Sequence, residues 1–339
     1  MTAAGYPWLV ADIGGTNCRF GLVRAADAPA ADVLAYRCAD HPSPEAAAAV
    51  YLAAIGERDG TTVAPQRVAF AVATAVEGDT AQMTNSAWLV SRPRLAAALG
   101  ARQVLLLNDF EALALALPRL GDDDAQWIGD ARPDARLPMA VIGPGTGLGV
   151  SSCVPVAGGW IAIAAEGGHA TAPAADDFES EVLREMRREH AHVSAERALS
   201  GIGLPVLHRA VCRVRGVPDE TVAAEEITRR AFEAHDPLCM ATLDTFCAML
   251  GTFAGNVALT VGARGGVYIA GGIAQKLGAE FLGPRFRARF EAKGRFSGYM
   301  ARIATGLITA KHAALAGAAQ ALVQSPPAAR SAPRRRTTR

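Results

Sequence analysis

Two distant stretches of this chain follow one plan, and few folds accommodate both. "WLVADIGGTNCRFGLVRA" is an apolar run, a Gly-Gly turn and a second apolar run. It predicts a β-hairpin whose tip holds Asp12, Gly14, Gly15, Thr16 and Asn17. "MAVIGPGTGLGVSSCVPV" repeats the plan, with a strand from Met139 to Ile142, glycines at 143, 145, 147 and 149, and a return strand from Val150 to Val156. The repetition implies an internal duplication. Shorter β-branched runs, "RVAFAVAT", "QVLLLND" and "GGVYIAGG", suit strands buried on both faces. Helical stretches alternate with them at 44–58, 110–117, 178–190, 221–235, 237–260 and 310–322, so the class is α/β.

At 339 residues, half of them apolar and a fifth charged, the chain is long enough for two well-buried domains. We expect a small α/β domain over 1–109, rejoined by a C-terminal helix at 310–324, and a large one over 110–309. The stretch 325–339, "SPPAARSAPRRRTTR", cannot bury apolar area and reads as a disordered basic tail. Its five arginines account for the formal charge of +1, so the folded body is mildly acidic. Such a body lacks the basic stripe that a nucleic-acid partner needs. The start, "MTAAGYPWLVADIGG", has neither a secretory signal nor a membrane anchor, and later apolar stretches read as broken too early to span a bilayer. The six cysteines, at 18, 38, 153, 212, 239 and 247, form no Cys-x-x-Cys pair, which favours reduced thiols in a cytoplasmic chain.

A glycine-rich hairpin tip turns backbone N–H groups toward one point and lets a phosphate approach without obstruction from Cβ. The alternative for either tip alone is a tight turn and nothing more. Asp12 favours the phosphate reading, since a carboxylate beside the cradle suits a Mg²⁺ held through water, and Thr16 adds a hydroxyl. No Gly-x-x-x-x-Gly-Lys-Ser/Thr run and no Gly-x-Gly-x-x-Gly after the first strand is present, which removes the Walker and dinucleotide folds.

In "VLLLNDFEAL" a strand ends at Asn108 and Asp109 where a helix begins, and ligands of α/β sheets gather at such carboxyl ends. Asp109 reads either as the helix N-cap or as a base for an attacking hydroxyl, ionised at neutral pH with an ordinary carboxyl pKa of about 4. "AAEGGHA" spaces Glu166 and His169 like metal ligands on a helix, but the two glycines cost about 2 kcal/mol of helix propensity. A loop presenting both side chains to a polyol fits better, and no cysteine lies nearby to complete a zinc site. Glu196 reads from spacing alone as a first-turn acid suited to a helix dipole.

Taken together, "ADIGGTN", "MTNSAW", "LLLNDFEAL", "IGPGTGLGV", "EGGHA", "HVSAERALSG", "GGVYIAGGI" and "KGRF" resemble the bacterial glucokinase family, in order from about Leu9 to Leu322. This family lies within the sugar kinase, actin and chaperone ATPase superfamily. The resemblance implies two ribonuclease-H-like domains of the actin/hexokinase type flanking a deep cleft, and ATP-dependent phosphorylation of D-glucose at O6. It implies ATP contacts from Ala11, Asp12, Ile13, Gly14, Gly15, Thr16, Gly143, Gly145, Thr146 and Gly147, and adenosine contacts from Gly271 and Gly272. Asn108, Asp109, Glu166, His169 and Glu196 would surround glucose, with Asp109 as catalytic base and Asp12 toward Mg²⁺. The zinc-containing repressor/kinase branch is disfavoured, because its cysteine cluster is missing, so no structural zinc is expected. "KGRF" is a family marker without an assignable role.

Three departures stand out: Ala11 where the family usually has Gly, Ala75 where it often has Pro, and Ala170 after the histidine where many members carry an acid. A kinase for fructose, mannose or glucosamine, a catalytically silent sugar sensor, and an actin-like or chaperone ATPase are the rival readings. The partner is a small molecule, with neither nucleic acid nor membrane, and a homodimer is expected.

Overall fold

The structure is a computed structural model that describes residues 5–326 apart from 85 and 219. Asn85 of the "MTNSAW" motif and residues 327–339, which carry the tail arginines, lie outside the described residues. The chain folds in two units, one of residues up to 112 with those from 314 onward, the other of residues 113–313.

In the first unit the predicted hairpin forms as β1 (Trp8–Ile13) and β2 (Asn17–Val23), and β3 (Ala31–Arg37) extends the antiparallel meander. The chain then runs through α1 (Pro44–Asp59), with Ser43 capping its start and Gly60 ending it in the left-handed conformation at φ 64°. It returns as β4 (Arg67–Val72), parallel to β1, passes a short ladder of β5 (Thr80–Gln82) and β6 (Leu89–Ser91), and enters α2 (Arg92–Leu99). The last strand, β7 (Gln103–Asn108), lies parallel to β4 and leads into α3 (Asp109–Ala116). The sheet order is β3-β2-β1-β4-β7. Phe20, Phe70 and Tyr51 are fully buried and stack or meet edge-on in its core. The C-terminal helix Ala313–Gln324 returns here because Arg67 donates to the carbonyls of Leu322 and Ser325 and lies over the Trp8 ring. Gly317 permits the approach, since a Cβ there would sit 1.7 Å from the Ala112 carbonyl oxygen.

The second unit repeats this topology. After β8 (Ala125–Ile128), the meander β9 (Met139–Pro144), β10 (Leu148–Val156) and β11 (Gly159–Ala165) is followed by β12 (Gly266–Ile269) and β13 (Thr305–Ile308). The order β11-β10-β9-β12-β13 mirrors the first sheet, with β12 parallel to β9 and β13 parallel to β12, and β8 added antiparallel at the edge. Its helices are α4 (Asp177–Met186), α5 (Ala195–Ala198), α6 (Leu204–Val214), α7 (Ala224–Glu233), α8 (Pro237–Val261) and α9 (Gly272–Glu291). Gly251 and Gly255, one turn apart on α8, let α9 pack close. A Cβ at either would meet the Phe286 carbonyl oxygen at 2.2 Å or the Lys293 side chain at 2.6 Å.

Two sequence expectations need correction. The apolar stretch taken as too broken to span a bilayer is one continuous helix, α8, of 25 residues with 78% of its apolar window buried inside the unit. Its apolarity belongs to a core rather than to lipid. The expected helix 178–190 stops at Met186, and α2, α6 and α9 were not anticipated. All six cysteines are buried free thiols.

Candidate active site

The residues singled out by sequence fall into two groups, one in each unit. In the first unit they gather at the carboxyl ends of parallel strands. Asp12 is the penultimate residue of β1, level with Ala71 on β4 and Leu107 on β7, so Asp109 follows at the same sheet edge two strands away. The hairpin tip closes through Gly14 N–H donating to the Asn17 carbonyl at 2.9 Å, and Cys38 N–H donates to the Thr16 carbonyl at 2.8 Å. Ala11 and Ile13 are wholly buried, which leaves only their backbone for a nucleotide, while Gly14 and Gly15 are half-buried and Thr16 is exposed.

Asn108, not Asp109, caps α3. Its Oδ1 accepts from Phe110 N–H at 2.9 Å and Glu111 N–H at 3.3 Å, and the Glu111 carboxylate accepts in return from Asn108 N–H at 3.3 Å. This is a reciprocal capping box. The Asn108 amide also donates to the Thr74 carbonyl at 3.2 Å, one residue before Ala75, and its side chain hydrogen-bonds the Asp109 carboxyl. Relieved of capping, Asp109 keeps one oxygen on Phe110 N–H at 3.0 Å. Burial and the like charge of Asp12 push its carboxyl up to about 7, against the pull of the nearby N–H donors. The ordinary pKa expected from sequence is therefore corrected upward, because spacing carries no information about burial or about Asp12. Asp12 itself pairs with its cross-strand neighbour Arg19 at 3.3 Å.

In the second unit the hairpin tip is uncharged. Gly145 N–H donates to the Gly147 carbonyl at 2.9 Å, and a Cβ at Gly145 would meet nothing within 4 Å, so its face is open for a ligand. Two residues beyond the end of β12 stands Gly271, whose φ of 86° favours glycine and where a Cβ would lie 2.4 Å from the Pro144 carbonyl oxygen. Gly272, likewise open, begins α9. Gly145, Thr146 and Gly272 border a cavity of about 610 Å³, within the range of small-molecule sites. The residues present fit a nucleotide: open glycine backbones, a helix N-terminus and the Lys276 ammonium on one side, and Thr228, Arg229 and Phe232 of α7 on the other. Sequence reasoning missed the α7 contribution. Its signal was the spacing of Thr228 and Phe232, one helical turn apart and off the face that buries Ile227 and Ala231.

"EGGHA" forms a single 3-10 turn, Gly167–His169, in place of an α-helix. Gly168 is forced by packing on β10, since a Cβ there would be 2.0 Å from the Leu148 carbonyl oxygen, and a Cβ at Gly167 would press on Val150 at 3.0 Å. Glu166 precedes the turn and His169 ends it, both with exposed side chains. The next segment is sewn to it, with Ala195 N–H donating to the Ala170 carbonyl at 2.7 Å and Ala172 N–H to Val193 at 2.9 Å. Glu196 thereby lies beside the hairpin tip, one carboxylate oxygen accepting from Leu148 N–H at 2.9 Å. Among the described residues no three His, Cys, Asp or Glu side chains gather as a metal cage.

A glucokinase family profile matches residues 9–325 of this chain. The chain belongs to the glucokinase family. Glucokinase of Aromatoleum aromaticum is 46% identical over 94% of this chain and 95% of its own length. That of Chromobacterium violaceum is 45% identical over 93% and 88%. Among solved structures, a glucokinase from an Antarctic psychrotroph superposes with a TM-score of 0.87 at 35% identity, covering 94% of this chain and 99% of its own. The two ribonuclease-H-like units are those of the actin/hexokinase fold that such sugar kinases share. The family marker "KGRF" also acquires a place. Lys293 donates from its ammonium to the Thr252 carbonyl at 3.1 Å and to Asn256 Oδ1 at 2.8 Å, clamping the end of α9 to α8, and burial lowers its pKa.

Proposed function

We propose that this chain transfers the terminal phosphoryl group of ATP to the 6-hydroxyl of D-glucose, with Asp109 removing the hydroxyl proton. Family membership carries the reaction class, an ATP-dependent glucose kinase. The observation that carries the role of Asp109 is its carboxyl held near neutrality at the end of a parallel strand, because a base works best when its pKa lies near the working pH.

Phosphoryl transfer asks for in-line placement and charge neutralisation more than for covalent chemistry. The open glycine tips, Thr146 and Lys276 would hold the phosphates, and Gly271, Gly272 and α7 the nucleoside. Mg²⁺, when bound with ATP, neutralises phosphate charge, and a single carboxylate, Asp12, suits an ion held mainly by phosphate and water. Glu166, His169 and Glu196 would orient the sugar, together with Asn108. The buried free thiols and the reading as a kinase of a small diffusible sugar support a cytoplasmic chain, and a homodimer is our expectation for its assembly.

The test is a coupled ADP-release assay across glucose, fructose, mannose and glucosamine, with and without Mg²⁺. Release with glucose and Mg²⁺ supports the reading. Faster release with another hexose reassigns the substrate, sugar-independent release favours an ATPase, and no release with any sugar favours a sensor.

A further inference from the structure

We propose that Glu196 is a positioning residue for the phosphate-donor hairpin, in addition to its proposed place beside the sugar. The proposal rests on the sugar-kinase reading for the second role and on geometry for the first.

Leu148 is the first residue of β10, immediately after the glycine-rich tip, and its N–H donates to Glu196 Oε2 at 2.9 Å. The contact is built into the tip, because a Cβ at Gly147 would lie 2.4 Å from that same oxygen. A side chain at 147 would therefore push the carboxylate aside, whereas at Gly145 a Cβ would have open space. The segment that carries Glu196 is fixed at both ends. Ser194 caps α5 through a bond from Arg197 N–H, and Ala195 N–H is tied to Ala170 next to the Glu166 and His169 turn. On the far side, Gly201 N–H donates to the Gly145 carbonyl at 2.8 Å, so the same loop braces the tip at a second point. Ser200 holds the turn between these braces by donating from its hydroxyl to the Glu196 carbonyl at 2.7 Å and accepting from Gly203 N–H at 3.0 Å.

A carboxylate has two oxygens. Oε2 fixes the start of β10, which leaves Oε1 for a sugar hydroxyl. Glu196 therefore links sugar occupancy to the shape of the tip that receives the nucleotide phosphates, through one side chain and no long pathway.

The experiment is calorimetric binding of a non-hydrolysable ATP analogue with Mg²⁺, in the absence of sugar, to folded wild-type protein and variants. Glu196→Ala should weaken nucleotide binding about 10-fold, the size of one lost hydrogen bond to a charged group. Glu196→Gln, whose amide oxygen still accepts from Leu148 N–H, should bind nucleotide within about 2-fold of wild type while its KM for glucose rises. Gly147→Ala should weaken nucleotide binding in wild type and add little in the Glu196→Ala background, where its clash is gone. Sugar-free nucleotide affinity unchanged in Glu196→Ala would overturn the proposal and leave Glu196 as a sugar reader. Equal losses in the Ala and Gln variants would overturn it too. Failure of the sugar-kinase reading is distinguishable, since it would show in wild-type turnover.

Discussion

The two hairpins share a topology and differ in what they carry. The first tip follows an acid, Asp12, and shares its sheet edge with a second acid, Asp109, whose carboxyl is held at about 7. The second tip carries no charge, and the carboxylate that bonds its backbone, Glu196, is delivered by a separate segment. On the proposed function, one sheet edge concentrates negative charge so that a carboxyl would serve as base, and the other leaves backbone open to which a polyanion would bind.

The largest effect should come from breaking the charged side. Asp109→Ala is expected to lower kcat by about 10³-fold while calorimetry still finds sugar and nucleotide binding, the signature of losing a base and keeping the pocket. Turnover within a few-fold of wild type would transfer the role elsewhere.

A smaller and more selective effect is expected on the uncharged side. Gly271→Ala forces a non-glycine residue to φ 86° against the Pro144 carbonyl, so it should cost about 1–3 kcal/mol of stability as well as nucleotide affinity. Gly145→Ala has free space, so its melting temperature should stay near wild type while KM for ATP rises several-fold. Equal stability losses in the two variants would contradict the assignment of Gly145 to the ligand and Gly271 to the fold.

The smallest predicted effect is on stability against pH. Asp109 has a folded pKa raised from 3.8 to about 7, so between those values the folded protein keeps a proton that the unfolded chain has lost. Its contribution to stability is therefore fully present below the lower value and declines as pH rises toward the upper one. Asp109→Asn cannot ionise and should be more stable than wild type at pH 8, by about 1–2 kcal/mol after allowing for partial solvent access, and nearly equal to it at pH 4. Thermal melts at the two pH values check the sign.

Much of this was legible in the sequence because it is local. Strand, glycine turn and strand follow one another along the chain, and Asp109 directly follows Asn108 at the end of the apolar strand β7. The glycines of "EGGHA" correctly spoke against an α-helix, although their reason, the contact with Leu148 and Val150, lies on another strand. What escaped was long-range. The α7 wall of the cavity, the Lys293 clamp on α8 and the bond from Leu148 to Glu196 each join residues dozens of positions apart. The capping reading of Asp109 was displaced by one residue, since Asn108 and Asp109 are both good caps and only the reciprocal bonds between Asn108 and Glu111 separate them.

The central claim is that the first sheet edge holds Asp109 near neutrality with the help of Asp12. Selective ¹³C labelling of aspartate carboxyls, followed by NMR titration of the ligand-free protein, measures it directly, with Asp109→Asn identifying the resonance. The account predicts an Asp109 midpoint close to 7 that falls in Asp12→Asn, because removing a like charge favours the ionised form. A wild-type midpoint near 4, or one that Asp12→Asn leaves unmoved, would contradict it.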